Sequence, residues 1–335
     1  MKNATIAKTY FQGSKMGGIA VMTSGGDSAG MNPGVKQFVE HCLERGQRPF
    51  LIYDGLEGMI DNRIKPASHR DVSGIIYKGG TIIRSSRSKR FFDKNFRQKA
   101  FDNLCNHGID KLVVFGGDGS FRALNVFYGD FNIPFIGIPA TIDNDIYGTD
   151  YCLGADTALN IIRQAIDDVR DTASSFKRAF VIETMGRDCG YLALVSALTS
   201  GAEICLIPEL EYDLESLGRR FKKEVQAGRT YIIAIVAEGV KFAHQLTEWL
   251  ENEIGMESRL TTLGHIQRGG SPTVHDRLMG FEFATLAVDG LLEGRSGEVV
   301  CYKASKMIYT PISEITSGKY KINQLHLKAG VKLTR

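Results

Sequence analysis

Cysteine, proline and tryptophan are scarce in this chain of 335 residues, which has six, eight and one of them. Cys42, Cys105, Cys152, Cys189, Cys205 and Cys301 stand far apart, with no Cys-x-x-Cys pair. That spacing excludes a thiolate zinc site and a disulfide scaffold and reads as reduced thiols. The prolines do not cluster, and no Pro/Gly/Ser linker or low-complexity tract interrupts the chain, so domain boundaries are only weakly marked. Net charge is only +3 with 24% charged residues, so there is no excess of Lys and Arg to coat a polyanion. Nucleic acid is excluded as a partner, and phosphate binding must be local. No run approaches the ~20 apolar residues of a membrane span, and the opening stretch "MKNATIAKTYFQGSKMGG" lacks the apolar core of a secretory signal. The expectation is a cytoplasmic protein without a membrane partner. No G-x-G-x-x-G and no Walker loop follows any of the apolar runs described next.

What is present is a chain 43% hydrophobic, long enough for two domains. "YFQGS" resembles part of an engineered protease tag, so residues 1 to 16 are kept out of functional reasoning, and the sequon at Asn3 carries no weight in a cytosolic chain. Short β-branched runs recur at 19–22, 48–53, 111–117, 133–139, 179–186, 202–208 and 230–239. Helical stretches lie between them. In 156–171, Ala158, Ile161, Ile162, Ala165, Ile166 and Val169 recur at helical spacing behind an acidic first turn. This alternation predicts an α/β fold of two doubly wound, mostly parallel sheet domains, Rossmann-like with three αβα layers. Ligands in such sheets sit beyond the carboxyl ends of the strands, which makes the loops after the strands the candidate site.

Four of those loops are polar and rich in glycine. "TSGGDSAGMN" (23–32) offers Gly25, Gly26 and Gly30 between a strand and a helix, where free backbone amides and a helix N-terminus suit phosphate, or where a glycine turn merely joins two elements. "GGDGS" (116–120) strips side-chain bulk from around Asp118, an acid suited to Mg²⁺, which keeps most of its waters and needs one or two carboxylates beside phosphate oxygens. "GIPATIDNDI" (137–146) packs Thr141, Asp143, Asn144 and Asp145 behind an apolar run, and "ETMGRDCG" (183–190) adds Arg187. Further arginines suited to phosphate oxygens are Arg84, Arg87, Arg178, Arg259 and Arg268; Lys177 stands beside Arg178, and His265 near Arg268. Trp249 reads as a packing residue and Cys189 as a small buried hydrophobe, while His41, His107, His244, His275 and His326 receive no role.

In this order, "TSGGDSAGMN", "GGDGS", "PATIDNDIYGTDY", "IETMGRDCGY", "AEG" and "GHIQRGGSPTVHDR" resemble the ATP-dependent 6-phosphofructokinases of bacterial type, from about Gly18 to about Gly290. The resemblance implies transfer of the γ-phosphoryl group of MgATP to the 1-hydroxyl of D-fructose 6-phosphate. It implies Asp143 as the base, Thr141 on phosphoryl oxygens, Arg87 and Arg187 neutralising the transferring group, and Asp118 as the Mg²⁺ site with Asp145 behind it. Gly26, Arg87, Ser88, Gly117, Asp118, Gly119 and Ser120 would line the nucleotide. Thr141, Ile142, Asp143, Met185, Gly186, Arg187 and Glu238 would meet the sugar, and His265, Ile266, Gln267 and Arg268 its 6-phosphate, with Arg178 and Arg259 arriving from a neighbouring subunit. A homo-oligomer follows, tetrameric as is usual in the family. The implied domains are 17–154 plus 267–317, larger and nucleotide-binding, and 155–266 plus 318–335, smaller and sugar-phosphate-binding.

Donor choice turns on two small residues. Pyrophosphate users in the family carry Asp after the "GGD" acid and Lys before "TIDND", and ATP users carry Gly at both. Gly119 matches the ATP pattern; Ala140 matches neither. At the family's effector site Lys36, Arg170, Glu203 and Arg229 match, whereas Glu40, His69 and Gly74 stand where Arg, Arg and Asp are expected. Weak or altered effector control is the expectation, and strong inhibition in a phosphoenolpyruvate dose series would contradict it. The alternatives left open are a pyrophosphate-dependent enzyme, a noncatalytic sugar-phosphate sensor, and an oxidoreductase, the last disfavoured by the missing dinucleotide fingerprint.

Overall fold

The computed structural model describes Gly17–Arg335; the tag-like stretch and Asn3 lie outside the described residues. Two compact units divide the chain: one comprises the described residues up to Ile142, with Ile146–Asp156 and Arg268–Tyr320, and the other Asp143–Asp145, Thr157–Gln267 and Lys321–Arg335.

The first unit is built on a seven-stranded sheet in the order β11-β10-β5-β4-β1-β2-β3. Its strands are β1 (Gly18–Thr23), β2 (Arg48–Ile52), β3 (Ile64–Pro66), β4 (Ile109–Gly116), β5 (Phe135–Pro139), β10 (Glu298–Lys303) and β11 (Lys306–Pro311). Pairing is parallel from β10 to β2 and antiparallel at the two edges. Strand alternation divides the core into two layers. Ala20, Met22, Leu112 and Val114 join one apolar cluster, and Ile19, Val21, Val113 and Phe115 the other. Every residue of β1 is buried, which explains its unbroken apolar reading. Helices cover both faces, and Met31–Glu44 packs against Val274–Leu292. Gly34 and Gly280 allow that approach, since a Cβ on Gly280 would lie 2.9 Å from the Gly30 carbonyl oxygen.

The second unit holds a four-stranded, all-parallel sheet in the order β7-β8-β6-β9, from β6 (Ala179–Thr184), β7 (Ile204–Leu206), β8 (Ile232–Ala237) and β9 (Ser258–Thr262). The helix Leu214–Gln226 is capped by Asp213, whose side chain accepts from the amides of Glu215 and Ser216, and it packs Leu217 and Phe221 against the sheet. Trp249 packs against the same cluster, as read from the sequence. The helix Ala155–Phe176 extends beyond the amphipathic stretch seen in the sequence and buries Ala158, Ile162, Ile166 and Ala173.

Candidate active site

In the first unit the chain leaves β1 toward β2 on one side and returns to β4 on the other, so the loops after β1 and β4 are neighbours at the point where strand order reverses. The Ser24 amide donates to the Phe115 carbonyl at 2.9 Å, and Ser120 Oγ donates to Ser24 Oγ at 2.9 Å, tying the two loops together. Asp118 opens the helix Asp118–Phe131, with its side chain 45% exposed. Its carboxylate accepts from Arg122 Nε at 2.7 Å. A Cβ built on Gly119 meets no atom within 4 Å, and one on Gly117 meets only Thr141 Cβ, at 3.8 Å. An open helix N-terminus, one exposed carboxylate and a cradle without side chains fit a Mg²⁺–phosphate group. No cluster of three or more potential metal ligands occurs among the described residues.

Thr141 lies beside this cradle because the Ala140 amide donates to the Gly116 carbonyl at 3.0 Å. The Ile142 side chain is fully buried and leaves only backbone to face a ligand. Gly26 abuts Arg268, whose Nη1 donates to the Asp27 carbonyl at 3.0 Å; a Cβ on Gly26 would stand 2.5 Å from that nitrogen. The two arginines of the 84–88 segment, alike in sequence, differ in the fold. Arg84 is paired with Asp54, whose carboxyl it holds below the usual carboxylate range, whereas Arg87 is exposed and has no hydrogen-bond or ion-pair partner among the described residues.

Sequence reasoning missed the group that organises the neighbouring loop. Asp276 is fully buried and its Oδ1 accepts from Tyr151 Oη at 2.5 Å and from the Gly154 amide at 2.6 Å. Thr273 Oγ1 caps the helix by accepting from the Asp276 amide and donates to Asp156 Oδ2 at 2.6 Å. The Thr-x-x-Asp spacing at 273–276, a capping-box pattern, was the available signal. Asn32 is similarly buried; its amide group donates to the Lys78 and Gly79 carbonyls and accepts from the Ile82 amide at 2.7 Å, fixing the start of the segment that carries Arg87. His41, left without a role, pairs with Asp289 at 2.9 Å.

In the second unit the loops after β6, β8 and β9 meet. The Gly239 amide donates to the Gly186 carbonyl at 3.2 Å, and the Leu263 amide to the Glu183 carbonyl at 3.0 Å. Gly239 is required there, because a Cβ would lie 1.9 Å from the Arg187 carbonyl oxygen. Gln267, buried to 1%, accepts from the Met185 amide through Oε1 and donates to the Gly264 carbonyl through Nε2, so its side chain is spent on joining loops. His265 and Ile266 are exposed beside it. Arg187 is 78% exposed; Asp188 foremost, then the charges of Asp143 and Glu238, raise its pKa. Arg178 pairs with Glu257 at 2.7 Å, and Arg259 pairs with the same carboxylate, so Glu257 gathers both guanidiniums. Cys189 is buried, which pushes its thiol up to about 12, in keeping with the inert reading.

Four charged residues compared with the family's effector site are engaged by groups of the protein itself. In the first unit Lys36 pairs with Glu40, and His69 lies 3.9 Å from the same carboxylate. In the second, Arg229 pairs with Glu203 at 2.9 Å and Glu224 at 2.6 Å, and Arg170 donates to the Ser200 carbonyl.

Comparison with known proteins gives the chain its place. The family described as phosphofructokinase matches residues 18–291. The ATP-dependent 6-phosphofructokinase of Sulfurimonas denitrificans is 57% identical over 309 residues, 92% of this chain and 97% of the relative. That of Thermotoga neapolitana is 43% identical over 306 residues, 91% and 96% of the two chains. Among solved structures, the phosphofructokinase of Saccharomyces cerevisiae superposes with a TM-score of 0.84 at 34% identity over 90% of this chain, which spans 45% of the yeast chain. The pyrophosphate-dependent phosphofructokinase of Marinobacter aquaeolei gives a TM-score of 0.81 over 92% of this chain and 86% of that one, but at 19% identity it shares the fold alone. No helix among the described residues is long and apolar enough to cross a membrane. This chain belongs to the phosphofructokinase family.

Proposed function

We propose that the protein phosphorylates D-fructose 6-phosphate with ATP to give fructose 1,6-bisphosphate and ADP, a step of glycolysis. The observation that carries this reading is the match to ATP-dependent 6-phosphofructokinases at 57% identity, covering nearly all of both chains. Gly119 supports it, since the space beside Asp118 is open and uncharged, as a nucleotide's inner phosphates require.

The first unit binds the nucleotide and the second the sugar phosphate. Asp143 accepts the proton of the 1-hydroxyl as that oxygen bonds to the γ-phosphorus and the bond to the β-bridging oxygen breaks, releasing ADP. Arg87, Arg187 and Thr141 hold the oxygens of the transferring group, and Gly26, Ser88, Gly117, Gly119 and Ser120 line the nucleotide. Mg²⁺, held by Asp118, supplies charge neutralisation on the phosphate oxygens when bound. Met185, Gly186, Glu238 and the backbone of Ile142 meet the sugar; His265, Ile266 and Arg268 hold its 6-phosphate, while the buried Gln267 fixes the loop that carries His265 and Ile266. Arg178 and Arg259 reach the same phosphate in a neighbouring copy, which makes a homo-oligomer, a tetramer, the working form. Because Glu40 stands where the family's pattern has an arginine and pairs with Lys36, effector control is weak or altered.

Asp143→Asn keeps the shape and removes the base. The expected outcome is a loss of kcat of at least about a hundredfold at little changed KM, on the scale of general-base contributions. Unchanged kcat would point instead to a protein that only binds sugar phosphate.

A further inference from the structure

The 84–90 segment carries Arg87, and it is held by groups the reaction does not use. Arg84 sits at φ 57, left-handed backbone that disfavours a residue with a side chain. Asp54 clasps its guanidinium in both prongs, Nε to Oδ1 at 2.6 Å and Nη2 to Oδ2 at 2.8 Å, over the Tyr53 ring 5.8 Å from Arg84 Cζ. Asp54 is itself left-handed at φ 60, followed by Gly55, where a Cβ would lie 2.6 Å from the Thr23 carbonyl oxygen. Backbone therefore meets backbone closely. Ser86 Oγ donates to the Asp54 carbonyl at 2.6 Å, the Asp54 amide to the Ile83 carbonyl at 2.8 Å, and Thr23 Oγ1 to the Arg84 carbonyl at 2.9 Å. Ser85 Oγ donates to the Gly25 carbonyl at 2.8 Å, binding the segment to the phosphate loop. At the far end Arg90 is held by Glu57 and Asp61, and Ser88 Oγ accepts from the Phe91 amide at 3.1 Å. Between these anchors Arg87 alone among the three arginines stays unpaired among the described residues.

We propose that Asp54 is a positioning residue for phosphoryl transfer: its clasp holds Arg84 in a left-handed turn and so fixes the 85–88 segment with Arg87 presented to the nucleotide phosphates. The inference rests on the reading of Arg87 as a phosphate ligand. An exposed ion pair contributes little to global stability, but this one opposes a local backbone preference, so its loss frees a segment rather than a domain. It also engages the Arg84 charge, leaving Arg87 as the arginine of this segment that meets the phosphates.

The test compares Asp54→Ala, Arg84→Gly and the double variant, with Asp54→Asn as the milder change should the alanine variant not fold. Three quantities are read: amide hydrogen exchange over 85–89, and KM and kcat for MgATP. In Asp54→Ala both exchange and KM are expected to rise about five- to thirtyfold, the factor equivalent to the left-handed preference of a non-glycine residue. Arg84→Gly is expected to stay near wild type, and the double variant to return most of the way, because glycine holds φ 57 without a clasp. Unchanged exchange in Asp54→Ala, or no rescue by Arg84→Gly, overturns the proposal. So does rescued exchange with an unmoved KM, if Arg87→Ala does raise KM. Should Arg87→Ala leave KM untouched, the phosphate-ligand reading fails by itself, and the exchange rates alone decide the clasp.

Discussion

Replacing Gly119 by Asp separates the fold from the nucleotide site. The new Cβ meets nothing within 4 Å, so no packing is lost. The residue is second in the helix Asp118–Phe131, where unpaired amides and the positive end of the helix favour a carboxylate by about 0.3–1 kcal/mol. Stability should therefore hold or rise slightly. Binding is affected in the opposite sense. Arg122 is already engaged by Asp118, and a carboxylate within about 5–6 Å of a phosphate charge would cost ~1–3 kcal/mol at effective dielectrics of 80 down to 20. That corresponds to a factor of roughly 5 to 150 in nucleotide affinity. The assay pairs a thermal melt with steady-state kinetics in MgATP. An unfolding midpoint at or above that of the parent, with KM for MgATP raised at least about fivefold, is the expected outcome. A variant with intact fold and unchanged KM would refute the placement of Gly119 beside the nucleotide.

Two further perturbations probe the supports of the site. Asp276→Ala leaves the Tyr151 hydroxyl and the Gly154 amide without their buried acceptor, and a loss of about 3–5 kcal/mol is expected by chemical denaturation; a loss under about 1 kcal/mol would show that the carboxylate is not organising the loop. Cys189, its thiol pushed up to about 12 by burial, holds a thiolate fraction on the order of 1 in 10,000 at pH 8. Iodoacetamide followed by peptide mass spectrometry should find Cys189 unmodified in the native protein, with reactivity climbing only as pH nears that value; rapid alkylation at pH 8 would contradict the burial.

Much of the architecture was legible because buried parallel strands read as continuous apolar runs, and all the runs singled out contain a strand. The strands that were missed are those whose signals are weak for physical reasons. β3 is a three-residue edge strand ending in proline, and β9 is an edge strand with Arg259 and polar threonines. The β10–β11 hairpin turns through Ala304 and Ser305 at φ 49 and 62, positions where Asn-Gly would have announced the turn. Within the site, the glycines flanking Asp118 are plain in the sequence, but an acid beside glycine also marks ordinary turns, and only the fold shows that they open a helix after β4. The roles of Arg84 and Arg87 were not legible: each is an arginine beside a serine pair, and only Asp54, thirty residues upstream of Arg84, distinguishes them. Gln267 looked like one more polar residue of a ligand loop until its burial between Met185 and Gly264 became visible.

The central claim, that ATP is the donor and fructose 6-phosphate the acceptor, is tested most directly by one coupled assay run with each donor in turn at equal acceptor concentration and saturating Mg²⁺. Robust formation of fructose 1,6-bisphosphate with ATP and little or none with pyrophosphate is expected. Turnover with pyrophosphate alone, or with neither donor, would contradict the account.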